Sequence, residues 1–353
     1  MSRRALTLAV SAGLLLLLLV GAAVLPVPYI ALAPGPLYDT IGKAGGKPVI
    51  SVQDHAAYPP TSGHLYLTTV SVIGAPTYPH LTLFEAMRYW LDDSVAVVPR
   101  EVEYPPGIDN QKAKQETAQQ MVQSQDAAKI AALRFLGEKA TTSGLVIDSV
   151  TSGAPADGVL KAGDQLKSVD GTAISSTQEL RQQIRKHPPG DTVTIGYVRD
   201  GTPAEAKIKT VAAPDDSKAS VIGIAPSEQC PCNTPFEVKI GLGENVGGPS
   251  AGLMFTLGII DTLTPGDLTR GMTIAGTGTM DVNGNVGPIG GIKQKLIAAQ
   301  RKGAVAFLVP SDNWDAANVS PPHGLQLRQV TDLASAVREV CAVTGATGKP
   351  CAG

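Results

Sequence analysis

The chain has 353 residues, enough for two or three cores of roughly 100 to 150 residues each. With 43% hydrophobic and 17% charged residues it can bury ordinary cores, which excludes a disordered polymer. Its 29 basic and 31 acidic side chains leave a formal charge of -2 with no basic cluster, so no field for a phosphate backbone exists and nucleic acid is not an expected partner.

At the amino terminus, Arg3 and Arg4 precede an apolar run that carries no charge from residue 5 to residue 33. About twenty such residues cross a bilayer, and the two arginines hold their own end on the cytoplasmic side. The run therefore predicts a cytoplasmic stub and signal anchor over residues 1–34, with lipid as a partner. The large remainder is expected outside, at the cell membrane in single-pass topology. Ala31-Leu32-Ala33 has the small-x-small form of a signal-peptidase site, but Pro34 follows it directly and the run exceeds the usual span of about 7 to 15 residues, so retention is expected. Pro34, Gly35 and Pro36 read as a stiff exit.

Short extended segments follow at 49–52 and 65–72, then a helical stripe at 81–91 and a further extended piece at 95–99. Residues 35–124 thus read as a membrane-proximal β-rich region leading into a helix. Residues 110–135 lack Gly and Pro and are rich in Gln, Ala, Lys and Glu, which predicts one helix or a pair. Beyond it, residues 144–150 and 165–169 read as strands, Ser176 or Thr177 can cap a helix over 178–186, and TVTIGYVRDG alternates as a hairpin strand ending in Asp200-Gly201.

The stretch SGLVIDSVTSGAPADGVLKAGDQLKSVDGTAISSTQELRQQI resembles the core of a bacterial PDZ domain, from residue 143 to about residue 211. With the preceding helix, this unit is expected over 125–213. The resemblance implies a module that adds an extended peptide to a sheet edge and holds its carboxylate on backbone N–H groups. The peptide-binding residues are expected at Gly144, Leu145, Val146 and Ile147, opposite the helix beginning near Thr177. A linker at 214–220 precedes the last unit, expected over 221–342, with a flexible tail at 343–353.

In that last unit, Val246-Gly247-Gly248-Pro249-Ser250-Ala251-Gly252 runs into the apolar segment LMFTLGIIDTL. A serine at the entrance of a buried helix lies where free N–H groups favour negative charge, which suits a nucleophile whose oxyanion is held by backbone donors. Gly290-Gly291 opens a second helix, IKQKLIAAQRKG, in which Ile292, Leu296 and Ala299 form a buried stripe. Lys295 shares the edge of that stripe and Lys293 does not. A lysine at the edge of an apolar cleft loses ammonium solvation, which lowers its pKa and makes its amine a base. Periodicity alone leaves open whether the serine and lysine segments meet.

This region resembles the proteolytic domain of the Lon-type serine-lysine peptidases over about 110 residues. Ser250 matches the nucleophile of the family's GPSAG signature, Lys295 the second lysine of its GGxKxK helix, and Thr277 the threonine that supports that lysine. The resemblance implies catalysis by Ser250 and Lys295, with oxyanion donors among Gly248, Ser250 and Ala251. Many members carry Asp directly before GPSAG, where this chain has Gly247. The expected architecture is α+β and multidomain: a transmembrane helix, a β-rich PDZ domain and a Lon-type domain of the ribosomal protein S5 domain 2-like α/β fold. The combination resembles a bacterial membrane-anchored PDZ and Lon-like group. No GxxxxGK[ST] segment occurs, so ATP is not an expected partner and flexible peptides or unfolded proteins are. Related domains form rings, which implies a homo-oligomer. A membrane-tethered PDZ adaptor and a serine-lysine amidase are the competing readings. No cofactor or metal is expected; Cys230-Pro231-Cys232 is half a zinc motif with no second cluster. Cys341 and Cys351 can pair with each other, or either can reach the Cys230 region.

Overall fold

The computed structural model describes residues 3–58, 62–74, 80–104, 110–140, 144–213, 219–229, 234–242 and 246–351. The amino-terminal apolar run is divided between two structures. Its first part is α1 (Arg3–Val24), a 22-residue helix with no buried residue. At 1.5 Å per residue that is about 33 Å, close to a bilayer's hydrocarbon thickness. Among the described residues it is the one helix long and apolar enough to cross a membrane.

The second part enters a sheet. In chain order, α1 is followed by β1 (Tyr29–Asp39), β2 (Ile50–Gln53), β3 (His64–Ile73), α2 (Leu83–Trp90), β4 (Ala96–Pro99) and α3 (Asn110–Phe135). Next come β5 (Gly144–Val150), β6 (Gln165–Val169), α4 (Thr177–Arg185), β7 (Thr192–Arg199), β8 (Thr202–Lys209) and β9 (Ile224–Gln229). The chain continues with β10 (Glu237–Ile240), α5 (Gly252–Leu263), β11 (Thr273–Gly276), α6 (Ile292–Arg301), β12 (Ala306–Pro310), β13 (Gln326–Val330) and α7 (Leu333–Thr344).

One sheet has the order β13-β12-β11-β3-β1-β4. Its first four strands are parallel; β1 runs antiparallel to β3, and β4 antiparallel to β1. The strands expected to form a separate membrane-proximal region therefore complete the sheet of the last unit. Pro34 and Pro36, expected as an exit from the membrane, lie inside β1. They are tolerated there because β4 pairs only with Tyr29 to Leu32, and the ladder to β3 shifts register between Pro34 and Leu37.

Alternation across this sheet builds two cores. Leu65, Leu67, Ile274 and Leu308 face a cluster containing α5 and the carboxyl-terminal half of α3, whereas Tyr66, Ala275, Phe307 and Val309 face α6. Every residue of α5 is buried. Met121, Ile130 and Leu133 of α3 pack into the α5 cluster, so the helix whose part from residue 125 is expected with the PDZ unit also packs on this body.

The second sheet, β8-β7-β6-β5-β9, encloses its own cluster around Leu145, Leu166, Ile195 and Ile208. It is interposed between α3 and β10, and β10 returns to pair with β2 of the body. Strand β9 joins this sheet although it follows the expected linker, because an alternating segment carries no label for the sheet it enters. Cys341 and Cys351 form a disulfide with a Cα–Cα distance of 5.9 Å, which ties back the tail expected to be flexible. Cys230 and Cys232 lie outside the described residues.

Candidate active site

Ser250 lies in a turn held from three directions. Ala251 caps α5, so the serine stands just before the positive end of that helix, where Gly252 N donates to Pro249 O and Leu253 N to Gly278 O. From the β11 side, Gly278 N donates to Ser250 O at 3.0 Å and Thr277 Oγ1 donates to the same oxygen at 3.1 Å. From α3, Ser124 Oγ donates to Pro249 O at 3.0 Å, and Gly248 N donates to Thr117 O at 3.0 Å. Ser250 remains half-buried.

Lys295 reaches the same point from α6. That helix is capped by Gly291 at φ 66°, a left-handed conformation, and a Cβ there would stand 2.6 Å from Val70 Cγ2. Glycine thus allows α6 to start against β3. One turn later, Lys295 Nζ lies 2.9 Å from Ser250 Oγ and 3.0 Å from Thr277 Oγ1, with Thr277 fully buried and Lys295 3% exposed. Burial pushes the Lys295 ammonium down from its ordinary 10.5 to about 8. Lys293 is exposed on the other side of the helix. This arrangement can move a proton between a hydroxyl and an amine without a histidine.

Of the expected oxyanion donors, Gly248 is not placed for that work, since its N–H is already engaged by Thr117 O. Sequence reasoning missed α3 as a wall of the site. Thr117 and Ser124 sit in a Gln- and Ala-rich helix that reads as solvated, and no motif marks them. The glycine before the signature has a local cause, because a Cβ at Gly247 would collide with Thr117 Cγ2.

At the expected PDZ peptide edge, β9 is already paired. Leu145 and Val146 of β5 pair with β6 on one side, while Gly144 to Ile147 pair with β9 on the other. An interior strand has no donors left for an added peptide, so Gly144, Leu145, Val146 and Ile147 are not an open binding edge. The strand at the end of the sheet is β9, which lies beside α4. Ser227 of β9 donates to Asp148 Oδ1 at 2.6 Å, and Gln123 of α3 donates to Asp148 Oδ2 at 2.9 Å. Gln123 adjoins Ser124, so α3 touches both the PDZ edge strand and the serine turn.

Two family models match the chain: a PDZ domain over residues 115–210, and the Lon protease (S16) C-terminal proteolytic domain over residues 243–343. The chain carries a PDZ domain and a Lon-type proteolytic domain. It is α+β and multidomain, with an amino-terminal apolar helix ahead of both. Among curated proteins, it is 39% identical over 80 residues to the serine protease Do-like HtrA of Lactococcus lactis subsp. lactis, covering 22% of this chain and 20% of that protein. It is 38% identical over 93 residues to the Lon protease of Mycolicibacterium smegmatis, covering 26% of this chain and 12% of that one. The chain thus spans a fifth or less of the length of these relatives. A crystal structure of the PDZ domain of the SdrC-like protein from Listeria monocytogenes is 36% identical, with a TM-score of 0.23, covering 25% of this chain and 92% of that one. The two matched family models, with α1 as the one such apolar helix among the described residues, support a proteolytic and membrane-associated role.

Proposed function

We propose that this chain is a membrane-anchored, ATP-independent serine-lysine endopeptidase that cleaves flexible or damaged extracytoplasmic proteins. The observation that carries the reading is the 2.9 Å contact between Lys295 Nζ and Ser250 Oγ in a buried setting that favours the neutral amine. Neutral Lys295 takes the proton of Ser250 as its oxygen attacks the peptide carbonyl, and the ammonium then gives that proton to the leaving amine. Water enters as the second nucleophile and releases the acyl group by the same proton route in reverse. Thr277 Oγ1 accepts from Lys295 Nζ while donating to Ser250 O, which aims the amine at the serine. The N–H groups of Ser250 and Ala251 at the start of α5 are the oxyanion donors in this scheme.

The anchor is retained in this reading. A cut after Ala33 would fall inside β1, where Ala33 pairs with Ser71, and would strip buried Ile30 and Ala31 from the sheet. Arg3 and Arg4 set the amino-terminal end in the cytoplasm. Substrate termini dock along the outer edge of β9, beside α4, and α3 links that edge to the serine turn.

The test is steady-state cleavage of an unstructured peptide by the full chain, with circular dichroism as the folding control. Ser250→Ala and Lys295→Ala each abolish cleavage, the double variant is scarcely worse than either, and Lys293→Ala stays close to the parent. A folded Lys295→Ala chain with near-parental turnover would remove the lysine from the reaction.

A further inference from the structure

Helix α2 turns its apolar side away from the protein. Only Ala86 of its residues is buried, while Leu83, Phe84, Met87 and Trp90, with Leu91 just beyond, are 41, 57, 54, 78 and 84% exposed. At 100° per residue these five side chains occupy one continuous arc of about 120°. Arg88 and Glu85 lie beyond one border of that arc, and Ala86 and Tyr89 face the body. The stripe is therefore ordered as though it had a second apolar partner. A capping box starts the helix: Thr82 N donates to Glu85 Oε2 at 2.9 Å and Glu85 N donates to Thr82 Oγ1 at 3.3 Å.

The position of α2 identifies that partner. Val27 N donates to Leu81 O at 2.8 Å and Leu83 N donates to Leu25 O at 3.1 Å, so the first residue of α2 is bonded to the first residue after α1. The helix packs against the end of α1. Wherever α1 leaves the hydrocarbon, α2 lies at that depth, with an indole and a phenyl ring at the level where aromatic residues settle in bilayers.

We infer that α2 is an interfacial helix whose Leu83, Phe84, Met87, Trp90 and Leu91 insert at the boundary of headgroups and acyl chains, in the leaflet from which α1 emerges. The lipid is read by apolar contact, since the exposed arc holds no cation, so neutral lipid suffices. Docking seats the body on the bilayer at a second point and fixes its tilt. This inference rests on the reading of α1 as a retained anchor.

The test uses the full chain carrying Trp314→Phe, which leaves Trp90 as the one indole of the two in the sequence. It is reconstituted into vesicles of phosphatidylcholine, with or without bromine on the shallow acyl carbons. Contact quenching is expected to lower Trp90 emission about twofold or more in the brominated vesicles. Adding Phe84→Asp and Leu91→Asp, both at exposed positions, is expected to abolish most of that quenching while the chain still resists an alkaline carbonate wash. A control chain with both native tryptophans replaced by Phe and Val319→Trp, just after the short helix Trp314–Asn318 that packs on β12, four strands from β4 in the sheet, is expected to stay unquenched. Carbonate-resistant chain with unquenched, water-like Trp90 emission overturns α2 docking and leaves the anchor standing. Chain released by carbonate overturns both. Emission shielded from water yet untouched by bromine, with crosslinks between copies through α2, assigns the face to a second copy and also overturns the inference. Equal quenching of the Val319→Trp control means that the whole body lies on lipid, which removes the special role of α2.

Discussion

Replacing Lys295 with methionine sets activity and stability against each other. Burial holds the folded pKa near 8 against an ordinary 10.5, so between these values the unfolded chain binds more protons and stability rises with pH. Below about pH 8 the whole cost is present, and at pH 7 it is about 3 kcal/mol. Methionine has nearly the same length, carries no charge, and forfeits two hydrogen bonds worth about 1 kcal/mol each. Half-buried Ser250 can turn to water, and Thr277 keeps its bond to Ser250 O. The net gain for Lys295→Met at pH 7 is then about 1 kcal/mol, a rise of about 2 to 4 °C in the melting temperature of a body this size. At pH 10 the desolvation cost has shrunk to under about 1 kcal/mol and the advantage vanishes or reverses. Differential scanning calorimetry of the full chain at both pH values reads this directly, with peptide cleavage falling to background throughout. A variant that melts below the parent at pH 7, or keeps the same offset at pH 10, would refute the claim that buried charge tunes this lysine.

The same pKa predicts that parental cleavage climbs about fivefold between pH 7 and pH 8 and levels off above about pH 9, which initial rates on a substrate without ionisable groups will show. Gly247→Ala is expected to cost about 1 to 3 kcal/mol through its collision with Thr117, and Thr117→Gly should restore much of the loss in a double-mutant cycle read by melting and by cleavage. A peptide captured by the PDZ unit should bind several-fold more weakly once its terminal carboxylate is amidated, measured by fluorescence anisotropy; equal affinity would exclude carboxylate recognition at the β9 edge.

The serine and lysine turns are legible because their chemistry is local: a glycine-rich entrance to a buried helix, and a charge on the rim of an apolar stripe. Helices α2, α3 and α4 and most strands follow from periodicity and caps, such as Ser176 accepting from Glu179 N ahead of α4. What escapes is long-range assignment. An apolar run suits lipid and a sheet interior equally, so the boundary between α1 and β1 depends on which residues find strand partners. The segment entering β9 alternates as well as any strand, and nothing in it marks β5 as its neighbour rather than the later sheet. Thr117 and Ser124 are polar residues of a polar helix, and they matter only because the fold carries the serine turn up to them. The pairing of Cys341 with Cys351 was one of several that spacing allowed.

The PDZ unit leaves and rejoins the body through two strands of chain, one after α3 and one before β10. A domain held at both ends is a closed loop of the host. Were it to unfold, the body would have to gather the ends of a flexible chain of roughly 100 residues, an entropic cost of about 4 kcal/mol by the logarithmic law of loop closure. A folded insert whose ends are already close removes that cost. The two folding equilibria are thereby coupled through the chain itself, besides the bond from Gln123 to Asp148: a ligand that tightens the insert also hardens the host, and damage to the insert softens it. The PDZ unit doubles as a brace whose occupancy would be written into the melting curve of the body.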